Sequence, residues 1–259
     1  MSLHPDVDDL VRSFAERVRP VAGGTAFWVA GSLASGDFRP GVSDLDLVAL
    51  VAAPLDEGQQ RAVADLHEDL AGTDPRAAKL HCDYLPATEA DDVTAAHVRW
   101  AHGELYRHPL SGIARAELLR FGLTLYGPVP GDVLPPVGDD DLASAVRSEL
   151  TGYWTDALGK PHLWLQDVYV DIGLFTLARA EATLREGRLV TKQEALPRLT
   201  GLGVDPGLVA EMTQRRQGTT VHLSTGQRLR RARHVRRVMT RGIADLTGGP
   251  AAGSRGPAR

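Results

Sequence analysis

Apolar residues recur at helical spacing in DVDDLVRSFAERVR (6–19), with Val7, Leu10, Val11, Phe14 and Val18 on one stripe, so the pattern predicts a first helix. Gly23-Gly24 stops it. TAFWVAG (25–31) reads as a buried strand, and a loop rich in Gly, Asp and Pro (36–41) leads to a second, SDLDLVALV (43–51). A second amphipathic helix follows over 56–71, with Val63, Leu66 and Leu70 inward. KLHCDYLP (79–86) is a short strand whose alternation sets His81, Asp83 and Leu85 on one face. GIARAELLRFGLTLYG (112–127) is helix-like and ends at Gly127-Pro128. Beyond it, 141–157, 163–186, 191–200, 206–217 and 225–246 all read as helices, and no strand pattern interrupts them.

The expected fold is therefore α+β followed by all-α: an N-terminal domain with a mixed β-sheet, then a C-terminal helical bundle. GPVPGDVLPPVG (127–138) reads as the linker. The expected divisions are 1–127, 128–246 and a low-complexity, disordered tail over 247–259.

Two acids interrupt the second strand. On a pleated strand Asp44 and Asp46 project to one face, opposite Leu45, Leu47 and Ala49. Like charges that close raise each other's pKa unless a cation lies between them. The pair asks for a metal, a guanidinium or abundant water. Asp83 adds a third acid on a neighbouring strand. Two or three carboxylates suit magnesium, which prefers a few of them plus substrate phosphates. Gly31-Ser32 supplies the complementary half, since a glycine turn lets backbone N–H groups approach a phosphate and the hydroxyl adds a donor.

The net charge of -4 argues against a general nucleic-acid binder. No apolar run approaches the roughly 20 residues a membrane span needs. The acidic N-terminus lacks an apolar signal core, and the single cysteine, Cys82, fits a reducing compartment, so a cytoplasmic protein without membrane association is expected. Four histidines (His81, His97, His102, His108) match no zinc spacing. QRLRRARHVRRVMTRG holds seven arginines between Arg228 and Arg241. It reads as an amphipathic helix with a solvated basic face, with phosphate contact or RNA binding as the alternatives.

Gly-Ser, eleven residues, then Asp-Leu-Asp opening an apolar strand resembles the nucleotidyltransferase superfamily of DNA polymerase β. Within it the chain is similar to the aminoglycoside adenylyltransferases that modify streptomycin and spectinomycin. LPPVGDDDLASAV (134–146), LTGYW (150–154) and LFTLARAEATLREGRLVTKQEAL (174–196) follow in that family's order. The resemblance implies a magnesium-dependent transfer of AMP from ATP to a hydroxyl of a small acceptor, in a cleft between the two domains. It implies that Gly31 and Ser32, with Ser43, contact the nucleotide phosphates and that Asp44 and Asp46 hold Mg2+. Asp83 falls where the family has its general base, one methylene shorter than the usual Glu, and a third metal ligand is the other role open to it. Asp141 and Lys192 match nucleotide-contacting positions of the helical domain. Trp100 matches an aromatic wall for the acceptor, and Asp171 is a candidate to hold it. Transfer of AMP to a protein, or nucleotide or RNA binding without catalysis, are the alternatives.

Overall fold

The computed structural model describes residues 3–248. The chain divides into two compact units, Met1–Gly138 and Asp139–Arg259.

The first unit is a six-stranded sheet in the order β5-β4-β3-β2-β1-β6. Its strands are β1 (Gly24–Val29), β2 (Leu45–Val51), β3 (Leu80–Pro86), β4 (Ala96–Ala101), β5 (Glu104–Pro109) and β6 (Leu123–Tyr126). β2 and β3 run parallel, with Asp46 opposite His81 and Val48 opposite Asp83; all other pairs are antiparallel. The parallel pair needs a crossover. α3 (Glu57–Thr73) provides it, held at its start by a capping box in which Asp56 and Gln59 satisfy each other's backbone.

One sheet face is covered by α1 (Asp8–Ala22) and α3. Phe27 and Val29 of β1, Leu45, Leu47, Ala49 and Val51 of β2, and Cys82 and Tyr84 of β3 meet Val11, Phe14, Val63 and Leu70 there. The alternate residues Ala26, Trp28, Val48, Leu50 and Leu85 form a second core with Leu110, Leu118 and Leu134 under α4 (Gly112–Phe121). This second core stops short of one end of its face, where Asp46, His81, Asp83, His97 and Arg99 stand.

The strand and helix expectations hold for 25–31, 79–86, 6–19 and 56–71 to within a few residues. The helix-like stretch 112–127 is a helix only to Phe121; Gly122 ends it, and Leu123–Tyr126 joins β1 as an edge strand, because Leu-Thr-Leu-Tyr alternates with the strand period. Residues 127–138 belong to the first unit and do not lie beyond it. Trp28 Nε1 donates to Pro128 O at 2.8 Å, and Leu134 is buried in the second core. β4 and β5 form a hairpin that the hydrophobic pattern did not announce. Its two-residue turn, His102-Gly103, has positive φ at both positions.

The second unit contains α5 (Asp139–Glu149), a π-helical turn (Leu150–Trp154), α6 (Thr155–Leu158), α7 (Asp167–Glu186), α8 (Lys192–Ala195), α9 (Arg198–Gly201), α10 (Pro206–Arg216) and α11 (Thr225–Thr247). The central α7 buries Val170, Leu174, Leu177 and Ala178. Gly173 leaves room for two indoles: a Cβ there would come within 3.0 Å of both Trp154 and Trp164. The tail expected over 247–259 lies, from residue 249 on, outside the described residues.

His67 of α3 is sealed in the first core. It stacks on Trp100 at 4.6 Å and shares a 2.9 Å hydrogen bond with the Tyr84 hydroxyl. Burial pushes its pKa down to about 3. The unfolded chain binds this proton near pH 6.5 and the folded one does not. The stability His67 allows is therefore complete above pH 6.5 and falls as pH drops towards 3, by up to about 1.4 kcal/mol per pH unit. Melting of the wild type should lose more between pH 7 and pH 5 than melting of His67→Gln; superimposable pH slopes would show that His67 takes no part.

Candidate functional site

The site begins with a glycine. Gly31 opens the short helix α2 (Gly31–Ala34) with φ +57°, and a Cβ built on it would lie 2.2 Å from Asp46 Oδ2. No side chain fits between this turn and that carboxylate. Ala30 N donates to Asp46 O at 2.8 Å, tying the turn to β2. Ser32 follows Gly31, partly exposed, at the helix start, where backbone N–H groups have no partner within the helix.

Asp46 is 39% exposed; its Oδ1 lies 3.8 Å from His81 Nδ1 and 4.0 Å from Arg99 Nη2. Asp44 precedes β2 and is 48% exposed, 3.7 Å from Lys79 Nζ. The two acids therefore do not share a pleat: β2 begins at Leu45, and Asp44 belongs to the loop. Lys79 also donates to Val42 O at 3.0 Å, fixing that loop. Ser43 serves the same loop, its hydroxyl accepting from Arg39 N at 3.0 Å.

Asp83 is buried and fully engaged. Oδ1 bonds His97 Nε2 at 3.0 Å and Oδ2 accepts from Arg99 Nη1 at 2.7 Å. Each carboxylate oxygen thus already has one hydrogen-bonded partner. Burial opposes the charge on Arg99, but Asp83, Tyr106 and Asp46 outweigh it and hold the guanidinium above its usual pKa. Arg99 thus stands between two carboxylates. His102, at the hairpin turn with φ +57°, packs its ring edgewise on His81 at 4.6 Å. Arg99 and His97 are the residues the sequence reading missed. Their signal was the alternation of AHVRWA, which puts both on the face of Asp83.

Trp100 requires a correction. It is buried on the opposite sheet face against His67, in the α1–α3 core, and cannot wall an acceptor beside these acids. The remaining candidates lie in the second unit. Asp141 is exposed in the first turn of α5 with Asp139 and Asp140, where acids favour a helix N-terminus. Lys192 is the exposed first residue of α8, behind the Thr191 cap. Asp171 on α7 makes a two-pronged pair with Arg215 at 2.7 and 2.6 Å. Burial raises the Asp171 pKa against the pull of Arg215.

Among the described residues no three of His, Cys, Asp and Glu converge as a metal cage. The exposed Asp44 and the partly exposed Asp46, beside the Gly31 turn, nevertheless suit magnesium arriving with a nucleotide, since that ion takes one or two carboxylates plus phosphate oxygens.

Residues 7–96 match the family model described as nucleotidyltransferase domain. The matched span runs from α1 to the start of β4 and contains Gly31, Asp44, Asp46 and Asp83. Over most of its length the chain is similar in structure to the spectinomycin adenyltransferase AAD(9) from Enterococcus faecialis, solved with ATP and spectinomycin. The TM-score is 0.69 and the identity 13%, covering 90% of this chain and 98% of that one. At that identity the likeness is one of fold, and it extends through the helical unit. No curated protein matches the sequence. No helix among the described residues is long and apolar enough to cross a membrane.

Gly31→Ala should cut nucleotide-dependent turnover at least about 100-fold, because the new Cβ collides with Asp46 and the left-handed backbone adds strain. Thermal melting should register only about 1–3 kcal/mol. Turnover within twofold of wild type would show that the Gly31–Asp46 contact is dispensable.

Proposed function

We propose that the protein transfers AMP from ATP to a hydroxyl of a small acceptor, with aminoglycoside-type antibiotics as the first class to test. The observation that carries the reading is the Asp46 carboxylate seated against the Gly31 turn, with Asp44 nearby on the preceding loop. Gly31 and Ser32 bind the nucleotide phosphates through backbone N–H groups and the Ser32 hydroxyl. Asp44 and Asp46 hold Mg2+, which when bound neutralises phosphate charge and orients the nucleotide. Asp44, now 3.7 Å from Lys79 Nζ, would hold the ion from the loop side. The acceptor oxygen forms a bond to the α-phosphorus, the bond to the bridging oxygen breaks, and pyrophosphate leaves.

Asp83 acts here as a positioning residue that holds Arg99 beside Asp46. The acceptor's proton passes to His81 Nδ1, on the same face and in register with Asp46. General-base assistance of this kind is worth about 10²–10⁴-fold. Ser43 supports the loop carrying Asp44, and its hydroxyl assists phosphate binding there. Asp141 and Lys192 are offered as nucleotide contacts by resemblance, and Asp171 as an acceptor contact by its place in the helical unit.

Pyrophosphate release from ATP and magnesium, against a panel including streptomycin and spectinomycin, tests the reading. Release should depend on one acceptor class, vanish with EDTA, and fall at least about 100-fold in Asp44→Asn and Asp46→Asn while melting stays unchanged. His81→Asn should lower kcat with little change in ATP affinity. Full turnover in both aspartate variants would remove the metal assignment, and labelled AMP appearing on protein would replace the small acceptor.

A further inference from the structure

Helix α11 holds seven arginines and one acid, Asp245. Three arginines are turned inward. Arg231 pairs with Asp167 at 2.6 Å, Arg236 donates to Leu158 O at 2.9 Å, and Arg228 Nε reaches Leu223 O at 3.4 Å. The other four, Arg230, Arg233, Arg237 and Arg241, are exposed, and none has an ion-pair partner among the described residues. At 3.6 residues per turn they fall within about 80° of arc and extend about 16 Å along the axis. The opposite side, Ala232, Val235, Met239 and Ile243, is buried in the helical unit. The row is thus mounted on a helix whose apolar face is already used.

Four like charges in line repel one another and gain nothing from the fold. We propose that this row is a docking surface for the phosphodiester backbone of a single RNA strand. Guanidinium is suited to phosphate because its fork makes paired hydrogen bonds to the oxygens. Axial steps of about 4.5–6 Å between successive arginines put one guanidinium within reach of each successive phosphate. The buried apolar face argues against a membrane, which would need that face to insert. The narrow convex row suits one strand better than a duplex groove, and single strands in cells are overwhelmingly RNA. The proposal rests on the helical unit alone and is independent of the nucleotidyl-transfer reading.

Fluorescence anisotropy of a labelled single-stranded RNA of about 20 nucleotides, titrated over salt, tests it on the full chain. Four neutralised phosphates predict a slope of log affinity against log salt near -3, at about 0.7 per phosphate for single strands. Arg233→Gln with Arg237→Gln should flatten the slope by about 1.4 and weaken low-salt binding at least about tenfold. Arg17→Gln with Arg147→Gln removes two exposed arginines elsewhere and should change neither. Equal losses in the two double variants, a salt-independent affinity, or tighter binding to duplex DNA or to phosphatidylserine vesicles than to the RNA would overturn the proposal.

Discussion

The carboxylate of Asp46 occupies the space that a side chain on residue 31 would need. That steric constraint sets the turn between β1 and β2 on which the site is built. The turn after β1 must carry glycine in a left-handed conformation, and it must lie against β2, to which Ala30 N is bonded. The register of β2 against β1 and β3 then places His81 opposite Asp46, and Asp83 one pleat further in. The opposite sheet face is filled by aliphatic and aromatic side chains from α1 and α3. A one-residue slip would turn those apolar residues to the polar side, which is what holds the register.

Charge compensation is the second theme. Asp83 is buried between His97 and Arg99, and Arg99 reaches towards Asp46 as well. Removing one member of such a buried pair is far costlier than the pair is stabilising, because the partner is left uncompensated. Removing Asp83 therefore carries a structural cost whatever its part in the chemistry. The second unit repeats the device with Asp171 and Arg215 on α7 and α10. The outer row of α11 departs from it, with arginines that no acid among the described residues answers.

Much of this was legible in the sequence. The strands around Gly31 and Asp46 were, because glycine, paired acids and apolar alternation coincide within 21 residues, Gly31 to Val51. So was the all-helical second half, whose periodicity is unbroken. The hairpin β4–β5 was harder to read: AHVRWA alternates with the strand period over only six residues, and ELYRHP is mostly polar. β6 was masked by the helix running into it. Trp100 illustrates a different limit: an aromatic residue on a strand points to one of two faces, and only the register with Cys82 decides which. The engagement of Asp83 was invisible for the same reason, since its partners lie 14 and 16 residues away on a strand the pattern did not reveal.

The most direct measurement of the central claim is a crystal structure with magnesium and a non-hydrolysable ATP analogue. The account predicts phosphates on the Gly31–Ser32 turn, a cation shared by Asp44 and Asp46, and Asp83 still bonded to Arg99. An analogue bound away from the turn, with Asp46 untouched, would contradict it.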